Sequence, residues 1–166
     1  MSRVLHGIEE RAAKGWFKIA AETALKSSCL RSKCGSVVVK GEQVIGVGYN
    51  SPPGDIPPEK CLKDEIKGDD TFISDATCCV HAEDRAIRDA LAKHSWDGVR
   101  GARLYFVRID ESGNIKKSGD PYCTWCSKTA LDERISKFVL WHEKGITEYD
   151  TEEYNKLSYE FRRKNL

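Results

Sequence analysis

The chain has 166 residues, enough for one packed core of ordinary size. Lys and Arg number 27 against 26 Asp and Glu, so charge supplies no global drive toward nucleic acid or an anionic membrane. Hydrophobic residues make up 40% and charged residues 32%, a soluble, globular balance, and no run approaches the ~18 apolar residues of a membrane span. The first ten residues lack the apolar stretch of a secretory signal, and the expected compartment is the cytosol. The seven cysteines, an odd number, then point to metal binding or catalysis rather than to a disulfide framework.

In chain order, Arg11 to Ser28 reads as an amphipathic helix, with Ala13, Phe17, Ala20 and Ala24 at helical spacing. Ser36 to Lys40 and Gln43 to Tyr49 are valine- and isoleucine-rich strands joined by Lys40-Gly41-Glu42, a hairpin. Gly46 and Gly48 share one face of the second strand, where another backbone is expected to come close. Ser51 to Cys79 has no periodicity and carries Pro52-Pro53-Gly54 and Pro57-Pro58, a long loop of the kind that is usually functional. Val80 to Lys93 reads as a helix and Arg103 to Ile109 as a strand. Asp110 to Asp120 is a polar loop. Thr124 to Arg134 is a short helix and Lys137 to His142 a buried strand. Asp150 and Glu153 resemble a capping box opening a last helix, with Tyr154, Leu157 and Phe161 along one side. Strands alternating with helices predict an α/β domain, a mixed β-sheet with helices on both faces. One domain is expected over residues 1–166, with a core at about 11–142 and a C-terminal helix at about 151–163.

The chemistry concentrates in His81-Ala82-Glu83 and Cys123-Thr124-Trp125-Cys126. Each opens a predicted helix. Cysteines three apart lie on one side of a helical turn, so both sulfurs can reach one ion at about 2.3 Å. A third ligand from elsewhere leaves one zinc position open for water, the catalytic arrangement, and His81 is the natural third ligand. At a helix start Glu83 can turn toward the same ion and stand beside its water without binding the metal. Two thiolates and an imidazole balance the charge of Zn²⁺, which still acidifies bound water to about 7. Two helix N-termini aimed at the site favour thiolate and hydroxide.

Together these motifs match the H-x-E…P-C-x-x-C signature of zinc nucleobase deaminases, and the chain resembles the cytidine/deoxycytidylate deaminase superfamily, most of all its deoxycytidylate branch. The resemblance extends over most of residues 29 to 141. Cys34 to Val39 is similar to the family's first strand, Val47 to Gly54 to its Gly-Tyr-Asn segment, and Gly101 to Tyr105 to the strand entering the second motif. The chain departs from the family where Tyr122 separates Pro121 from Cys123, where Ser51 follows Asn50, and in the longer 110–120 loop. The resemblance implies a three-layer deaminase fold, a Zn²⁺ cofactor and a small-molecule nucleotide substrate, most of all dCMP. It implies attack of an activated water on C4 of a cytosine ring, with Glu83 as general base and then general acid. It also implies a homo-oligomer. Asn50 is expected to hydrogen-bond the sugar or base, and the backbone of Ala82 to meet the pyrimidine edge. Arg31 and Lys33 lie where the family places phosphate contacts. Trp125 and Tyr122 are candidates to border the base by position alone.

Plainer readings stand beside these. Cys123 and Cys126 by themselves also fit buried thiols or half of a structural zinc site. Asn50 fits a turn, Trp125 and Tyr122 fit packing, and Arg31 and Lys33 fit solvated charges. Cys61, Cys78 and Cys79, with His94, suggest a second metal site, although free thiols are the simpler reading, and Cys29 and Cys34 read as core thiols. The Tyr154–Leu157–Phe161 stripe reads as core or subunit interface. Arg162-Arg163-Lys164 is too short a run for a nucleic-acid site. Other aminated bases (free cytidine, guanine, dCTP, or a base in tRNA or single-stranded DNA) and a non-catalytic zinc-stabilised domain are the competing functions.

Overall fold

The structure, a computed structural model, describes residues 1–65 and 78–164. The central part of the expected 51–79 loop therefore lies outside the described residues. The sheet contains β1 (Arg3–Val4), β2 (Lys33–Lys40), β3 (Gln43–Tyr49), β4 (Arg103–Ile109), β5 (Ile115–Lys116), β6 (Lys137–His142) and β7 (Gly145–Asp150). Its order is β1-β7-β6-β4-β2-β3, with β5 paired to β4. Among the described residues only β4 and β6 run parallel, and helix α4 (Thr124–Asp132) lies between them in the chain. The sheet is mixed, as the alternation of elements predicts.

Helix α1 (Gly7–Ala24) covers one face. Its Phe17, fully buried, meets Tyr105 edge-on at 5.4 Å and packs with Val37 and Val39 of β2. Burying one such ring contributes about 2–3 kcal/mol. Val38, between those valines, points to the opposite face, where α2 (Ala82–Lys93), α4 and α5 (Thr151–Lys164) form the other layer around Ile87, Leu104, Phe138 and Tyr154. Period-two alternation along β2 thus feeds two cores. A four-residue helix, α3 (Trp96–Val99), links α2 to β4 and is capped by Ser95, whose hydroxyl accepts from the Gly98 N–H.

The glycine face of β3 is occupied as expected. A Cβ at Gly48 would lie 2.3 Å from the Ala82 carbonyl oxygen, and one at Gly46 2.4 Å from that of Ala86. Backbone-to-backbone contact is what brings α2 down onto the sheet.

Several elements differ from the sequence reading. Helix α1 starts at Gly7 rather than Arg11, with Glu9 and Glu10 complementing the dipole of its first turn. It ends at Ala24, short of Ser28, because Ser27 turns its hydroxyl to Asn50 instead. Helix α2 begins at Ala82, since Val80 bridges back to Ser51. The 110–120 segment is a hairpin: Asp110 accepts from the Ser112 and Asn114 N–H groups, and β5 folds back on β4. Strands β1 and β7 were not expected. In β7, Glu148 is buried and accepts from Arg3 of β1 and Arg103 of β4, so its alternation does not look apolar in the sequence. The Asp150 carboxylate bonds Lys137 at 2.5 Å rather than acting only at the start of α5.

Candidate active site

Two helix starts build the centre. His81 is the N-cap residue of α2 and Cys123 that of α4. Their positions follow from the sheet, because β3 glycines seat α2, and α4 leaves the segment that follows the β4–β5 hairpin. His81 Nδ1 lies 3.3 Å from Cys123 Sγ and 3.1 Å from Cys126 Sγ, and the two sulfurs are 2.9 Å apart. Among the described residues this is the one group of three or more potential donors gathered within 4.8 Å. The donor chemistry, two soft sulfurs and an imidazole, fits zinc. A tetrahedral ion with bonds of about 2.0–2.3 Å spaces its ligands about 3.5–3.8 Å apart, so small side-chain rotations open this triangle around an ion.

The Cys126 N–H points at Cys123 Sγ at 3.3 Å. Hydrogen bonds from the Cys126 thiol and then from His81 pull the Cys123 thiol down to about 5, against the upward push of burial. Burial holds Cys126 above the ordinary thiol range. Glu83, in the first turn of α2, is buried, and no Lys or Arg pairs with it among the described residues. Burial, and then the charge of Cys123, push its carboxyl up to about 7. A carboxyl in this setting changes protonation easily near neutrality, as a proton carrier must.

A cavity of about 390 Å³ opens beside these groups, lined by His81, Ala82, Glu83, Asn50 and Tyr122 among others. Asn50 is fixed within its wall. Its Oδ1 accepts from Ser27 Oγ at 2.7 Å and from the Cys34 N–H at 2.8 Å, while Nδ2 donates to the Ser32 carbonyl at 2.9 Å. Among the described residues the second Nδ2 hydrogen has no hydrogen-bond partner, so the side chain is held in its turn with one donor to spare. Tyr122 also lines the cavity and tilts against Phe161 at 6.1 Å. Trp125 does not line it. It is 55% exposed on the outer side of α4, with the Lys128 ammonium 5.8 Å from its ring.

Arg31 lines the cavity, but its guanidinium is held by Asp64 at 3.0 and 2.9 Å. Lys33 is exposed and does not line it. The cavity wall is also rich in thiols: Cys29, Cys34, Cys61, Cys78 and Cys79. Burial pushes Cys34 up to about 11, and burial with neighbouring Cys29 and Cys78 raises Cys79 well above the thiol range. Cys61 and Cys78 approach to 4.0 Å, and His94 caps the far end of α2. None of the seven cysteines is in a disulfide.

The sequence reading did not single out Arg108 or Phe106, and it did not place Phe161 at the site. All three line the cavity. Arg108 carries a signal in hindsight, being a charge inside the apolar strand Leu104 to Ile109. Phe161 is the last residue of the α5 stripe, whose first member, Tyr154, stacks on Phe138 at 3.9 Å.

A mixed sheet between two helical layers, with a histidine and paired cysteines at two converging helix starts, defines an α/β protein with a zinc-type metal centre. The chain belongs to the cytidine and deoxycytidylate deaminases: the model of that family's zinc-binding region matches residues 10–142. A deoxycytidylate deaminase of Mycobacterium phage D29 is 40% identical over 96 residues, covering 54% of this chain and 72% of that protein. The crystal structure of dCMP deaminase from cyanophage S-TIM5 in complex with dCMP and dUMP superposes with a TM-score of 0.56 at 22% identity, covering 80% of this chain and 82% of that one. Cytidine deaminase from Burkholderia pseudomallei gives 0.55 at 16% identity, covering 85% and 94%. These two likenesses concern the fold.

Proposed function

We propose that the protein is a zinc-dependent hydrolytic deaminase that converts dCMP to dUMP and ammonia. The observation that carries the reading is the His81–Cys123–Cys126 triangle with the buried Glu83 close by, His81 and Glu83 both lining a cavity of about 390 Å³. The phage relative at 40% identity, named a deoxycytidylate deaminase, supports the choice of substrate.

His81, Cys123 and Cys126 would hold the zinc. The ion would supply a water activated at neutral pH. Glu83 accepts one proton from the attacking water and gives it to ring N3, then takes the remaining proton from the new C4 hydroxyl and delivers it to the amine, which leaves as ammonia as the C4 carbonyl forms. Buried, and with no Lys or Arg paired to it among the described residues, it carries that proton without competition from solvent. The Ala82 backbone and the remaining Asn50 amide hydrogen orient the pyrimidine. Tyr122 and Phe161 form an apolar wall that excludes water.

The test is ammonia release from dCMP, dCTP, deoxycytidine, cytidine, guanine and a short cytosine-containing single strand. Turnover of dCMP with loss on chelation and recovery on zinc addition is expected. Turnover confined to another member of the panel overturns the substrate. Silence throughout with zinc bound overturns the reaction. The family resemblance further supports a homo-oligomer, which light scattering tests; a monomer at assay concentration removes it. Seven cysteines with no disulfide among them suit a reducing compartment such as the cytosol. No helix among the described residues is long and apolar enough to cross a membrane.

A further inference from the structure

The two halves of the metal centre are held by different means. His81 is carried by α2, which the bare face of β3 seats backbone to backbone. Cys123 and Cys126 are carried by the first turn of α4, a helix of nine residues, too short to be stable by itself. Its buried side chains are Thr124, Cys126, Ser127 and Ala130, so no large apolar group keys its position. We propose that α5 does so, and that Asn155 of α5 is a positioning residue: acting through Ser127, it holds the Cys123–Cys126 turn in register with His81. The proposal rests on the zinc reading of the centre.

Ser127 follows Cys126 directly and belongs to the turn that carries both sulfurs. Its N–H donates to the Cys123 carbonyl at 3.2 Å. Helical rotation of about 100° per residue turns its side chain away from the sulfurs and toward α5, where it is fully buried. Ser127 Oγ donates to Asn155 Oδ1, 2.9 Å away, and lies 3.2 Å from the Thr124 carbonyl of its own turn. Ser158, also fully buried, donates to the Asn155 carbonyl at 2.6 Å, and its Oγ stands 3.4 Å from that of Ser127. The cluster joins the metal-bearing turn of α4 to one turn of α5.

The choice of residues carries the argument. Alanine at 127 and 158 would pack nearly as well without the cost of withdrawing two hydroxyls from water. An apolar contact between helices is non-directional and tolerates sliding. A buried hydrogen-bonded cluster accepts one register, because a shift leaves a polar group unpaired. Such a lock matters where a displacement of one helix moves two sulfurs at once. The rest of α5 is anchored independently: Tyr154 stacks on Phe138 of β6 at 3.9 Å, and Phe161 reaches the cavity wall. The brace is thus fixed to the sheet near its start and to the site near its end, with Asn155 and Ser158 between. The family match ends at residue 142, so this helix lies outside the residues on which family membership rests.

The experiment measures the rate at which zinc passes from the loaded protein to a chromogenic chelator, and the cobalt–thiolate absorption of the cobalt-substituted protein. The proteins are wild type, Asn155→Ala, Asn155→Asp and Ser127→Ala. Glu148→Gln, on β7, is the control for a general loss of stability, and thermal melting is recorded for all. Asn155→Ala and Ser127→Ala are expected to release zinc about 10-fold faster and to shift the cobalt spectrum. Asn155→Asp keeps an acceptor for Ser127 and is expected to stay within about 2-fold of wild type. Glu148→Gln is expected to melt lower yet release zinc at the wild-type rate. Ser127→Ala removes a single oxygen, so it keeps the test open if Asn155→Ala fails to fold. Zinc release unchanged in both alanine variants overturns the proposal. So does release that rises as much in Glu148→Gln for the same fall in melting temperature, since Asn155 would then act only on the fold. Wild type that takes up no zinc ends the zinc reading and the proposal together. Zinc uptake without dCMP turnover ends the substrate reading alone, and the release rates still decide the proposal.

Discussion

Glu83 on α2 and Glu148 on β7 are about equally buried, at 4% and 3% exposed, yet their surroundings are opposite. Glu148 Oε1 accepts from Arg3 at 3.2 and 3.1 Å, and its Oε2 from Arg103 at 2.8 Å. Those bonds tie β1, β7 and β4, elements far apart in the chain. Glu83 has no such cation, and burial raises it to about 7. A buried carboxylate matched by guanidinium is a clamp, because removing either partner strands a charge. A buried carboxylate left unmatched is suited to carry a proton, the role proposed for Glu83, because neither protonation state is strongly preferred. Burial alone therefore says little about the role of a carboxylate, and the cation beside it decides.

The contrast can be broken most decisively at Glu83. Replacing Glu83 with Gln should cut dCMP turnover at least about 1,000-fold while zinc content stays stoichiometric and urea stability is unchanged or raised. Preserved turnover would end the proton-carrier assignment. Next in size, Cys126→Ser should reduce zinc below stoichiometry by metal analysis and remove activity that excess zinc only partly restores. At the other glutamate the signs reverse. Glu148→Gln should leave kcat for dCMP within about 2-fold, yet lower stability by about 2 kcal/mol, because its arginines are half-exposed and water answers part of the loss. That corresponds to a fall of about 4–8 °C in Tm. An unchanged Tm would show that the clamp contributes nothing.

The smallest effect is at Asp150, where the Lys137 hydrogen bond leads in holding the carboxyl down at about 2, below its ordinary 3.8. A depressed folded-state pKa adds stability that is fully present above about 4 and fades as pH falls toward 2. Asp150→Asn should flatten the acid limb of the stability profile and leave pH 7 activity alone. Acid titration of the melting temperature in both forms measures it.

The donors of the site are legible in the sequence because metal chemistry permits few residue types and helix starts fix their spacing. The same reading goes astray at Trp125, which is next to both cysteines in the chain. Helical rotation of about 100° per residue carries it to the outer face while Cys123 and Cys126 face His81. Arg108 is visible as a charge in an apolar strand, but its place in the cavity wall and its position opposite Lys116 exist only once the hairpin has formed. In the fold, β2, β3, β4 and β6 announce themselves as apolar runs. Strand β7 does not, because Glu148 occupies a core position that only Arg3 and Arg103 make habitable. What local pattern can encode was readable, and what depends on distant partners was not.

The seating of α2 on the bare face of β3 carries a lesson about sequence space. Ala82, whose carbonyl meets Gly48, lies between His81 and Glu83 in the chain, so a methyl group at position 48 would displace both together relative to Cys123 and Cys126. A saturation library scored for retained metal should therefore find position 48 as intolerant as the ligands themselves, although its residue touches neither ion nor substrate. The missing side chain is the gauge that sets the width of the centre.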